Sequence, residues 1–161
     1  MGFRKAYSVI GALLLFELMA QFYFVAGGIF TIAAKADPEA SAKVVKEAVN
    51  SSEPFFGLHS LNGVFVIPIT ILVLIGLSFA ARYPWRTTGY TAALAGLWVI
   101  QFLLAAVGFA GVAVVAGLHG INALILVGTT IFVVYRSWAF RRQPAAIPPA
   151  QPDLTGASTR T

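Results

Sequence analysis

The chain has 161 residues, 58% of them hydrophobic and only 11% charged, with a mean hydropathy of +0.82. A soluble globular domain is about 45–50% apolar and about 25% charged, so a soluble enzyme, a nucleic-acid-binding domain and a disordered regulator are excluded. The formal net charge of +5 sits at the ends of apolar runs and forms no patch, so it does not argue for nucleic acid.

Four apolar runs follow one another, each about 20 residues or longer and so able to cross a hydrocarbon core of about 30 Å. They predict an all-α fold: an integral membrane four-helix bundle with spans at about 8–33, 55–80, 89–111 and 113–135, forming one domain over 1–142. No run alternates polar and apolar residues as a barrel strand would. Arg4 and Lys5 ahead of an apolar stretch have the outline of a signal peptide. The stretch runs on from Val9 to about Ala34, however, with Glu17 and Gln21 in its middle, so a retained first span is expected.

The loop Lys35–Glu53 should hold a short surface helix starting at Asp37-Pro38, with Val44, Val45 and Val49 as its apolar face. Pro68 lies within the second span and can kink it. A tight turn with Gly108 and Gly111 joins spans three and four. Tyr83, Trp85, Tyr135 and Trp138 read as an aromatic belt. The segment Gln143–Thr161, rich in Pro, Ala, Ser and Thr, reads as a disordered cytoplasmic tail. Arg4, Lys5, Arg82, Arg86, Arg136, Arg141 and Arg142 all fall on one face, whereas the other face offsets Lys35, Lys43 and Lys46 with Asp37, Glu39, Glu47 and Glu53. The positive-inside rule therefore predicts a multi-pass protein of the cell membrane with both termini cytoplasmic. Without cysteine, disulfides, thiolate metal sites, iron–sulfur clusters, Cys nucleophiles and c-type haem linkage are excluded.

An internal repeat organises the chain. Gly57-Leu58-His59-Ser60-Leu61-Asn62 recurs as Gly117-Leu118-His119-Gly120-Ile121-Asn122, 60 residues on, with Thr70/Thr130 and Ile71/Ile131 in step. Gln21-Phe22, Ala26 and Gly28 recur as Gln101-Phe102, Ala106 and Gly108, 80 residues on; the longer first outer loop supplies the difference. The pattern predicts two tandem helical hairpins related by a pseudo-two-fold axis along the membrane normal.

Parallel spans two and four then put His59 and His119, the two histidines of the chain, at equal depth, one to two turns inside the outer surface. Asn62 and Asn122 follow one turn deeper on the same faces, and Gln21 and Gln101 enter from the other two helices. The result is a polar layer fed by all four helices. One reading makes the layer interhelical glue, each such hydrogen bond contributing about 0.6 kcal/mol. The other makes the opposed imidazoles axial ligands of a haem iron, with Gly28 and Gly108 giving the ring room. Glu17, one turn cytoplasmic of Gln21, is either an acid hydrogen-bonded within the bundle, or facing a partner subunit, or a proton-relay or quinol-site group.

His on the second and fourth helices with Gly on the first and third resembles the four-helix core of b-type membrane cytochromes, in which paired histidines hold haem b. The resemblance implies haem b bound by His59 and His119, and one haem only, because one His pair is present. The pattern is also similar to a family of uncharacterised small actinobacterial four-helix membrane proteins. Three functional classes follow: a single-haem b-type cytochrome or haem-bearing anchor subunit of a redox complex; a non-enzymatic scaffold or accessory subunit of another membrane complex; and a small proton-coupled carrier acting as a dimer. No soluble catalytic motif is present, so the expected surroundings are the lipid bilayer and such complexes, with no nucleic acid.

Overall fold

Long runs of Leu, Ala, Val, Ile and Phe with no repeating polar position form helices here. The computed structural model describes residues 2–35 and 40–140. Its elements are α1 (Gly2–Ala33), α2 (Ala42–Leu61), a π-turn (Asn62–Val66), α3 (Ile67–Ala80), α4 (Trp85–Phe109) and α5 (Ala113–Ser137). α2, the π-turn and α3 run on as one rod, Ala42–Ala80. Four rods result, each long and apolar enough to cross a membrane.

The rods pack in chain order around a ring. α1 lies against α2 and α3, α3 against α4, α4 against α5, and α5 closes against α1. Large apolar side chains cover the outside, among them Phe16, Phe30, Leu72 and Val114.

Helix α1 begins at Gly2, since no residue from Phe3 to Tyr7 breaks a helix. Two expectations are revised. Among the described residues no separate surface helix precedes the second span, because the helix from Ala42 continues through Pro54 into it. Pro54 leaves the carbonyl of Asn50 without its helical donor, but Asn50 is exposed, where another donor can reach it. The proposed start at Asp37-Pro38 lies outside the described residues, as do Arg141, Arg142 and the tail 143–161. Tyr83, assigned to an aromatic belt, instead turns into the bundle end.

That end is knotted by polar contacts. The Tyr83 hydroxyl donates to the main-chain oxygen of Ser137 (3.1 Å), and the Ala139 amide donates to Ser8 Oγ (2.9 Å). Tyr7 meets Thr91 Oγ1 at 2.6 Å. Thr91 spends its own proton on the Thr87 carbonyl, so Tyr7 is the donor. Burial pushes the Tyr83 phenol up from its ordinary value, and Arg4, 5.1 Å over the ring, pulls partly the other way. From there inward the interior is solid: Tyr7, Leu14 and Leu18 of α1, Ile67, Ile71 and Leu74 of α3, Leu94 of α4, and Leu126 and Val133 of α5 form one cluster. Beyond the level of Leu18 and Leu126 the bundle is hollow.

Candidate functional site

All four rods line the hollow, a cavity of about 440 Å³. Its walls are largely apolar, with Phe22, Trp98, Phe102 and Phe109 among them, and the polar groups entering it are those of Gln21, His59, Ser60, Gln101 and His119. The two imidazole centres lie 6.3 Å apart with their planes at 66°. The sequence repeat thus brings its histidine pair together in one space, although α2 and α5 are diagonal in the ring.

The contacts below the histidines repeat as the sequence does. Asn62 Nδ2 donates to the main-chain oxygen of Glu17 (3.1 Å), and Asn122 Nδ2 to that of Leu97 (3.0 Å). Adding 60 to the donor number and 80 to the acceptor number converts one bond into the other. Each Asn thereby fixes the axial register of its hairpin.

The glutamines depart from this symmetry. Gln101 Nε2 lies 3.1 Å from His119 Nε2, His119 Nδ1 lies 3.1 Å from the Gln101 main-chain oxygen, and Asn122 Nδ2 donates to Gln101 Oε1 at 2.6 Å. In the first half Gln21 Nε2 donates to the main-chain oxygen of His59 (3.2 Å). Gln21 Oε1 and His59 Nδ1 are buried and have no partner among the described residues.

Gly28 and Gly108 stand outside the cavity lining. A Cβ on Gly28 would lie 2.6 Å from the Phe56 ring, and one on Gly108 would lie 3.2 Å from the Ala116 Cα. Both glycines therefore serve the close approach of the two rods of one hairpin, again at equivalent positions. Glu17 lies below the cavity and is buried at 7% exposure. Thr70 Oγ1 donates to its Oε1 (3.0 Å), while Oε2 has no partner among the described residues.

Several contributors were not singled out from the sequence. Trp98 walls the cavity and donates Nε1–H to the main-chain oxygen of Gly63 (2.8 Å). The signal was Pro68. In the π-turn the Ile67 amide bonds to Asn62, five residues back, so the next acceptor, Gly63, awaits a donor at position 68 that proline lacks. An indole opposite fills the gap. Thr70 appeared in the sequence only as a repeat match. Tyr7, Ser8, Thr91 and Ser137 gave no pattern, because their contacts join residues far apart in the chain.

Among the described residues no group of three or more His, Asp or Glu gathers to hold a metal, so a metal at the cavity would have two protein ligands, His59 and His119. No known protein family, curated protein or solved structure matches the chain.

Proposed function

We propose that the chain is a multi-pass protein of the cell membrane, built as two pseudo-symmetric hairpins with both termini in the cytoplasm. In this reading it holds one haem b between His59 and His119 near the outer face. It would then be a single-haem b-type membrane cytochrome, or the haem-bearing anchor of a redox complex. The observation that carries the reading is that two imidazoles meet in one largely apolar cavity. With ring centres 6.3 Å apart, His59 and His119 are close enough that both would reach one metal ion held between them.

Two imidazoles leave a bare ion such as zinc short of its usual four ligands, whereas a porphyrin supplies the remaining ligands of iron. The volume falls in the range of about 300–1,000 Å³ typical of sites for small molecules and cofactors. His119 donates its second ring nitrogen to a backbone carbonyl, the support that ligating histidines usually have. Bound there, the group would supply one-electron chemistry. The protein's part is to orient two neutral imidazoles and to exclude water with Phe22, Phe102 and Phe109. Glu17, below the cavity, is a candidate proton-holding group for that chemistry. With one histidine pair, no second haem carries electrons onward across the membrane.

The absorption spectrum tests this. Protein purified from haem-sufficient cells should show a Soret band that shifts on reduction, and His59→Ala and His119→Ala should each abolish it. A colourless preparation with no spectral response to hemin rejects the reading. A second reading, a register-fixing scaffold or accessory subunit, is favoured by one observation: the Asn122, Gln101 and His119 side chains bond one another in a closed set of contacts. It predicts mild effects of both His→Ala changes and co-purification of a partner.

A further inference from the structure

His59 and His119 are repeat mates with unlike hydrogen-bond surroundings. A carbonyl oxygen only accepts, so the 3.1 Å contact of His119 Nδ1 with the Gln101 main-chain oxygen puts the imidazole proton on Nδ1. Nε2, the nitrogen left with a lone pair, lies 3.1 Å from Gln101 Nε2, which donates to it. The amide cannot turn over without loss, because Asn122 Nδ2 donates to Gln101 Oε1 at 2.6 Å, and Asn122 is itself held by the Leu97 carbonyl. Every assignment in this chain of bonds follows from the one before it. Nothing equivalent holds His59. Gln21 reaches only its main-chain oxygen, and Gln21 Oε1 and His59 Nδ1 are both left buried without partners among the described residues.

We infer that Gln101 is a positioning residue with two opposed actions on His119: its carbonyl presents the metal-binding nitrogen unprotonated, and its amide occupies that nitrogen until a metal displaces it. His119 is thus the conditional ligand and His59 the resident one. This inference rests on the haem reading above. The magnitudes make Gln101 a modulator. One amide–imidazole hydrogen bond is a small fraction of what two metal–imidazole bonds supply, so it lowers affinity severalfold without preventing binding.

The test is hemin titration of the full-length protein in nanodiscs, together with nitrogen NMR of its imidazoles before hemin is added. Gln101→Met keeps the side-chain length and removes the amide. It should bind hemin about fivefold more tightly than wild type, equivalent to about 1 kcal/mol. Gln21→Met frees no imidazole nitrogen and should give no gain. A side chain with a merely structural role would weaken binding when removed, so the sign of the change is diagnostic. Before hemin is added, His119 should be the Nδ1–H tautomer, with an Nε2 resonance that shifts in Gln101→Met. Equal or weaker hemin binding by Gln101→Met, or an Nε2–H tautomer at His119, overturns the inference. If no variant binds hemin, the haem reading fails by itself, and the nitrogen resonances still decide whether the clamp exists.

Discussion

Pro68 has no amide proton, and the consequence appears 30 residues away in the chain, at Trp98. The indole takes the Gly63 carbonyl that the proline leaves open. Trp98→Phe keeps most of the aromatic wall and orphans that carbonyl, which should cost about 1–3 kcal/mol. Pro68→Ala on the Trp98→Phe background should restore part of the loss by returning a backbone donor. A double-mutant cycle read by SDS-induced unfolding measures the coupling, and additive effects would show that the two residues do not share the carbonyl. The repeat mates of this pair, Gly128 and Leu18, need no such exchange, because Gly128 keeps its amide. A mid-span proline was legible in the sequence. Which side chain answers it was not, because α3 and α4 become neighbours only in the folded ring.

Each hairpin is held at two levels, by an Asn donating to the facing backbone and by a Gly admitting the facing rod. The two glycines differ in what they meet. Phe56 touches the space above Gly28 with the tip of its ring, which can swing aside, whereas Gly108 faces the backbone of Ala116. Gly108→Ala gains about 1 kcal/mol in helix propensity and faces an overpacking cost of about 1–3 kcal/mol. It should therefore destabilise the α4–α5 hairpin, while Gly28→Ala should be nearly neutral. Thermal unfolding of the two variants in the same detergent compares them directly, and a Gly108→Ala protein as stable as wild type would contradict the packing argument. The pairing of rods could be anticipated from the repeat. The continuity of α2 through Pro54 could not, since a proline reads as a boundary unless the freed carbonyl is known to be exposed.

The whole bundle is solid at the end bearing Arg4, Arg82 and Arg136 and hollow at the end bearing the histidines. Tyr7 crosses the ring from α1 to α4, a diagonal contact, and is wholly buried. Tyr7→Phe should cost about 1 kcal/mol, measured as a lower unfolding midpoint without change in helix content. Orientation is testable at this scale because the chain has no cysteine. Ser51→Cys should react with a membrane-impermeant maleimide on intact cells, and Arg86→Cys only after lysis; the reverse pattern would invert the proposed topology.

Sequence alone determined the number of apolar rods, their pairing into repeated hairpins, and the residue types that enter the interior. Those properties depend on periodicity, length and the cost of polar groups among apolar ones, all of which are local. Tertiary structure alone decided that His119 is clamped and His59 is not, that Gly28 and Gly108 pack hairpins rather than line the cavity, and that Trp98 answers Pro68. Each of these depends on which side chain from another rod reaches a given atom to within a hydrogen bond or a van der Waals radius. A repeat in sequence fixes equivalent positions, but it does not make their surroundings equal.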